Sequence, residues 1–277
     1  MTALSAPITP IAPERLRSAW RVFWYGGRMS YGMLFNWARP SIYIPTLIGG
    51  PTFQLLFFAA LGSYATNRSP AYFAIGNAVQ VSAIAGVFGM TMAIANERWF
   101  GTLPAILATP ANRVALFAGR FMPFVLNGLL VSLYAFALGF VFLGVRLAPG
   151  SLAVVGLALL VTVFACTAIG ALQGAISLRL RDGLFGANLV TMSILLFCGV
   201  NIPMNELPGW MQVVGNLLPF THGLEAVRQA ADGAGLGQVG GLIATEALIG
   251  IAYAVAAFAL FVYLERSARA NATLDVR

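Results

Sequence analysis

The stretch Asn96-Glu97-Arg98-Trp99-Phe100-Gly101-Thr102-Leu103-Pro104, continuing through Thr109-Pro110-Ala111-Asn112-Arg113, is a short polar interruption between two long apolar runs. Tyr72 to Ala95 lies before it and Leu116 to Leu143 after it. Each run exceeds the roughly 20 helical residues that cross a hydrocarbon core, so the interruption reads as a connection between membrane spans. Four more runs of that kind lie outward of this pair: Ile42 to Leu61, Leu152 to Leu178, Leu184 to Ile202 and Leu242 to Leu264. The expected fold class is an all-α membrane protein with six transmembrane helices.

Composition points the same way. Of 277 residues, 59% are hydrophobic and 9% charged, whereas a soluble domain carries about 25% charged residues. The net charge of +7 comes from arginine alone, because the chain has no lysine. In a soluble protein that balance would suggest nucleic acid. Here the arginines flank apolar runs, which suits membrane lipid and no nucleic acid. Arg68, Arg146 and Arg228 fall in the gaps on one side, and every other arginine falls on the side of the N-terminus. By the positive-inside rule both termini are cytoplasmic. Cys166 and Cys198 sit inside apolar runs as small hydrophobes, with no metal spacing.

The chain divides into a cytoplasmic tail (1–13), an amphipathic interface helix (14–39) and a six-span domain (40–277). The tail lacks the apolar core of a signal peptide. Between Glu14 and Phe35, the residues Leu16, Trp20, Phe23, Gly27, Tyr31 and Leu34 recur at helical spacing beside Arg17, Arg21 and Arg28. Such a helix either lies in the membrane interface or packs on protein. Within the spans, Gly49-Gly50-Pro51 and Pro123 are expected to bend helices, and Gly170 with Gly174 to permit close packing. Arg120, seven residues beyond Arg113, either snorkels to the inner interface or meets a buried partner such as Glu97.

The segment 203–241 is too apolar for a free loop and too broken for a span. Pro203, Pro208 and Pro219 divide it, with a helix-compatible piece from Trp210 to Leu218. An outer re-entrant or interfacial helical pair is expected there, with Gly233 to Gly241 as a flexible return.

The chemistry the chain lacks is equally informative. His222 is its only histidine, so no triad or metal cluster can draw on a second one, and no catalytic or metal site is expected. Without lysine there is no phosphate loop ending in Gly-Lys-Ser/Thr. Glu246 is the only acidic residue in a proposed span, which weakens the reading as an ion-coupled carrier. Uncharged polar residues within spans, among them Gln54, Asn77, Gln80, Asn127, Gln173, Asn188 and Thr191, are interhelical hydrogen-bond partners or ligand contacts. Three readings stay open: ATP-driven export with nucleotide bound by another chain, secondary transport driven by an ion gradient, and a membrane assembly subunit without transport.

Glu97-Arg98-Trp99-Phe100-Gly101-Thr102-Leu103 resembles the Glu-Arg-x-x-Gly-Thr-Leu element that follows the second span of type-2 ATP-binding-cassette (ABC) export permeases. Leu207-Pro208-Gly209-Trp210, with Leu218-Pro219-Phe220-Thr221-His222-Gly223-Leu224-Glu225-Ala226-Val227-Arg228, resembles that family's outer re-entrant signature. The family includes drug-resistance permeases of the daunorubicin type and polysaccharide or lipo-oligosaccharide exporters.

The resemblance implies a permease in the bacterial cytoplasmic membrane that moves an amphipathic drug, lipid or lipid-linked glycan outward. It implies docking of two ABC ATPase subunits, which bind ATP and Mg2+, and pairing with a second permease copy or paralogue. It makes 96–113 the coupling loop, with Glu97, Arg98, Trp99, Phe100, Gly101, Thr102, Leu103 and Pro104 at the ATPase contact. It assigns Pro208, Trp210, Pro219, His222, Glu225 and Arg228 to an outer gate. Spans one, two and five would line the path, making Gln54, Asn77, Gln80, Asn188 and Thr191 substrate contacts. Thr102 and Thr109, each followed closely by proline, are suited to cap two short stiff helices in the loop.

Overall fold

A computed structural model describes residues 19–30, 40–99, 112–180 and 182–270, and every described element is helical. Helix α1 spans 19–30. It is followed by α2 (Pro40–Ala65), α3 (Pro70–Trp99), α4 (Arg113–Phe142), α5 (Leu152–Leu180) and α6 (Gly183–Phe197). A single 3-10 turn at Met204–Glu206 leads to α7 (Gly209–Leu217), α8 (Thr221–Ala231) and α9 (Leu236–Ala270). Among the described residues four helices have both the length and the apolarity to cross a membrane, namely Pro70–Asn96, Arg113–Phe142, Leu152–Arg179 and Leu236–Ser267. Helix α2 runs unbroken through Pro45 and Pro51, and α4 through Pro123.

Helix α3 is the hub. Of its apolar segment 67% is buried inside the protein, against 17% for α9, and α2, α4, α5 and α6 all pack on it. Small residues make the closest seam. A Cβ on Gly170 would lie 2.8 Å from the Val87 backbone, and one on Gly174 would lie 2.9 Å from the Ile94 side chain. The expected small-residue pair therefore sits where α5 meets α3, and the Thr91 hydroxyl donates to the Gly170 carbonyl at 2.9 Å across it.

Three connections gather at one end of the bundle, called distal below: 66–69, 143–151 and 198–235. Ala148 N–H donates to the Ala231 carbonyl at 3.0 Å. Arg68 pairs with Glu206 at 2.6 Å, with side chains 39% and 53% exposed. So exposed a pair adds little, and Arg68→Ala should lower stability by less than about 1 kcal/mol. A thermal melt in detergent should move by no more than about 3 °C. At the opposite, proximal end, Arg113 meets Glu265 and joins the start of α4 to the end of α9.

Two expectations change, and two open alternatives narrow. The fifth run ends as a helix at Phe197, not Ile202, because Gly199 adopts φ +76°, which breaks helical geometry. At 15 residues α6 is about 22 Å long, shorter than a hydrocarbon core. The glycine return is also shorter than expected. Gly233 turns the chain at φ +104°, but Gly237, Gly240 and Gly241 lie inside α9, which begins at Leu236. Helical hydrogen bonding is the cheapest way to satisfy the backbone in an apolar medium, and it outweighs the low helix propensity of glycine.

Third, α1 divides its stripe between two surroundings. A Cβ on Gly27 would lie 2.8 Å from the Gly119 carbonyl oxygen, so that face packs on α4, while Trp20 remains 64% exposed and stacks on Phe23 and Trp24. The helix thus packs on protein and still offers an aromatic face. Fourth, Arg120 is buried and not without a partner, instead of extending to a surface. Its stretch of α4 is covered, since α1 lies across the neighbouring Gly119. The long helix after the coupling segment is capped by Asn112, whose side chain accepts from Val114 and Ala115 N–H. Thr102 and Thr109 lie outside the described residues.

Candidate functional site

A cleft of about 510 Å³ opens between α2, α3 and α6. Helix α2 contributes Phe53, Gln54, Phe57 and Phe58, α3 contributes Gln80 and Ile84, and α6 contributes Met192 and Leu195. Among the described residues the lining is three phenylalanines and three aliphatic or thioether side chains, with two amides as its polar groups and no charged residue. Such a surface favours an apolar ring system that carries one hydrogen-bonding edge, and it offers nothing to offset a buried phosphate.

The amides continue beyond the cleft. The Gln54 amide nitrogen donates to the Gln80 side-chain oxygen, and to Asn77 Oδ1 at 3.2 Å. Asn77 Nδ2 in turn donates to Asn201 Oδ1 at 2.8 Å and to the Phe73 carbonyl at 3.0 Å. Asn77 and Gln80 lie one helical turn apart on α3, 0% and 1% exposed. Buried amides in that setting need partners, and the chain Gln80–Gln54–Asn77–Asn201 supplies them. It runs from the cleft to the break that follows α6.

Arg228 holds that break. Its Nη1 donates to the Gly199 carbonyl and its Nη2 to the Val200 carbonyl, each at 2.8 Å. These are carbonyls that the left-handed turn at Gly199 removes from the helical pattern. The guanidinium carbon also stands 3.9 Å from the centroid of the Tyr72 ring, with Arg68 at 5.0 Å from the same centroid. Gly76 makes the approach possible, because a Cβ there would lie 2.7 Å from Arg228 Nη2.

The sequence-predicted residues are distributed unevenly around this arrangement. Gln54, Asn77 and Gln80 come together. Asn188 and Thr191 do not join them: each donates to a carbonyl one turn back on α6, Leu184 and Ala187 respectively, and Met192 and Leu195 face the cleft instead.

Among the distal residues, Pro208 precedes α7 and its carbonyl accepts from Met211 and Gln212 N–H. Trp210 is exposed and meets Phe197 edge-on at 5.8 Å. The Pro219 carbonyl accepts from the Cys166 thiol at 3.1 Å. His222 is half-buried in the first turn of α8, and Glu225 accepts from Gln229 at 2.9 Å. Only Arg228 reaches another layer through charged hydrogen bonds. In the coupling segment Glu97, Arg98 and Trp99 close α3, while Phe100, Gly101, Thr102, Leu103 and Pro104 lie outside the described residues.

Sequence reasoning missed Tyr72, Asn201 and the Arg113–Glu265 pair. Tyr72 and Asn201 carried one signal, a polar side chain at the margin of an apolar run, but nothing local says which distant residue each one meets.

Residues 29–231 match the family model described as ABC-2 type transporter. The chain is also similar to the probable doxorubicin resistance ABC transporter permease protein DrrC of Mycobacterium tuberculosis, in strains CDC 1551 / Oshkosh and ATCC 25618 / H37Rv. In each case the two are 25% identical over 210 residues, covering 73% of this chain and 74% of the relative.

Proposed function

Since the chain belongs to the ABC-2 type transporter family and is the multi-pass membrane permease of an ABC exporter, working with ABC ATPase subunits, we propose that its cargo is an uncharged or weakly charged aromatic amphipath held in the cleft between α2, α3 and α6. The amide chain from Gln80 through Gln54 and Asn77 to Asn201 is the observation that carries this reading. Cargo that hydrogen-bonds to Gln54 or Gln80 competes with those amides for each other, and so loosens the line that ends beside the Arg228-held break. The relative's printed name, which associates it with doxorubicin resistance, supports a drug-like cargo over a lipid-linked glycan.

In this reading the chain crosses the bacterial cytoplasmic membrane six times, with α2 and α6 as the first and fifth spans and both termini in the cytoplasm. The arginine asymmetry supports that orientation. Two ATPase subunits bind ATP and Mg2+ and dock at 96–113, where Glu97, Arg98, Trp99, Phe100, Gly101, Thr102, Leu103 and Pro104 receive their motion. A second permease copy or paralogue and surrounding lipid complete the assembly. The distal end is then outermost, and 203–241, with Pro208, Trp210, Pro219, His222, Glu225 and Arg228, closes the mouth.

The test reconstitutes the permease with an ATPase encoded beside it and uses doxorubicin as the probe. ATP-dependent movement into inside-out vesicles is expected. Gln54→Leu and Gln80→Leu should each raise the half-saturating probe concentration about tenfold, the effect of one lost hydrogen bond. Unaltered saturation curves in both variants would remove the cleft from the path.

A further inference from the structure

Helix α9 contains two acidic residues, Glu246 and Glu265. Both are buried, 0% and 8% exposed, in a helix that otherwise turns most of its surface outward. Each holds a different part of the protein. At the proximal end Glu265 Oε1 meets Arg113 Nη2 at 2.9 Å, and Arg113 is the first residue of α4, where the 96–113 segment ends. At the distal half Glu246 Oε2 accepts the Gly223 N–H at 3.0 Å in the first turn of α8. The free N–H groups at the start of that helix suit an acceptor oxygen. Among the described residues the second oxygen of Glu246 has no hydrogen-bond partner, so the Gly223 bond anchors this carboxyl group. Tyr253 adds a hydroxyl donated to the Leu217 carbonyl at 3.3 Å, at the last residue of α7.

Nineteen residues separate the two carboxylates, about 28 Å of helix, close to the roughly 30 Å of a hydrocarbon core. Helix α3 also runs between the two ends, but α2, α4, α5 and α6 pack on it and it serves as the frame. Helix α9 touches chiefly α5 and α8. Gly250 lets it sit tightly on α5, since a Cβ there would lie 2.9 Å from Ala165 Cβ.

We propose that α9 is the rod that carries motion from the coupling loop to the outer gate, with Glu265 gripping α4 through Arg113 and Glu246 gripping α8 through the Gly223 N–H. Both are positioning residues. The inference rests on the reading of 96–113 as the ATPase contact.

The experiment uses the full permease–ATPase complex in proteoliposomes. A thiol probe is placed by Asp232→Cys, at the exposed end of α8, while Cys166 and Cys198 are buried. The rate of labelling by a membrane-impermeant maleimide is compared with and without vanadate-trapped nucleotide. With Glu246, or with Glu246→Gln, which keeps an acceptor oxygen, trapping should change the rate about fivefold. With Glu246→Leu the change should vanish while ATP hydrolysis continues. Arg113→Glu should abolish the change, and adding Glu265→Arg should restore it.

A full trapping response in an assembled Glu246→Leu complex overturns the proposal. If that variant does not assemble, the charge swap decides, and failure of Glu265→Arg to restore the response overturns it equally. Absence of any trapping response, or of ATPase association, in the unsubstituted complex is a different result. It removes the coupling role of 96–113 and the rod with it.

Discussion

Arg228→Ala should abolish export and destabilise the protein by about 3 kcal/mol or more, because two carbonyls lose the guanidinium that donates to both. The Gly199 and Val200 carbonyls each lie 2.8 Å from one guanidinium nitrogen. An unsatisfied buried acceptor costs about 1–3 kcal/mol, and loss of the contact over the Tyr72 ring adds about 1 kcal/mol. Arg228→Lys provides a point charge in place of a planar fork and cannot serve both carbonyls and the ring equally. It should fold with an intermediate loss of stability and transport the probe slowly. Thermal melts in detergent and vesicle transport together check this. An alanine variant that melts with the parent would mean that the carbonyls find other donors and that the latch is not Arg228.

The second large effect belongs to Gly170→Leu, which should prevent accumulation of folded protein in the membrane. A Cβ at this position would stand 2.8 Å from both Cα and O of Val87 and 2.9 Å from the Gly86 carbonyl oxygen. Those atoms are backbone of the hub helix and cannot rotate aside. The clash forces α3 and α5 apart along a seam on which the other spans depend, and it stretches the bond from Thr91 to the Gly170 carbonyl. Overpacking a tight core costs about 1–3 kcal/mol where neighbours can yield; here they cannot. Gly156→Leu on the same helix is the control, since a Cβ there meets nothing within 4 Å. Size-exclusion profiles of detergent extracts should separate the two, with Gly156→Leu monodisperse at parental yield. Equal profiles would show that the seam tolerates separation.

Much of the fold was legible because a membrane helix announces itself locally. Each long apolar run partitions on its own composition, so α3, α4, α5 and α9 could be found without knowing their neighbours. Helix ends were harder. The stop at Phe197 depends on a positive φ at Gly199 and on an arginine 29 positions later that takes up the freed carbonyls. The start of α9 depends on an apolar surrounding that keeps three glycines helical. For the site, a shared helix face linked Asn77 with Gln80, but the face cannot say that Gln54 bridges them. Asn188 and Thr191 had the same polar character and turned back to their own helix, as a short side chain on a helix commonly does.

By itself the sequence determined the solvent, the helical class and the family motifs, and without lysine it held no Gly-Lys-Ser/Thr phosphate loop. Each of these is a property of a short stretch or of bulk composition, additive along the chain and indifferent to register. The opening polar stretch is of that kind: its place between two apolar runs marks it as a connection before any contact is known. Only the tertiary structure decided which polar groups meet. Asn77 finds Asn201 across 124 positions, and Glu265 finds the arginine at which that polar stretch ends. Such pairings require glycine seams to set the helix separation to a few tenths of an ångström. They also require buried polar atoms to select the one register in which donors face acceptors.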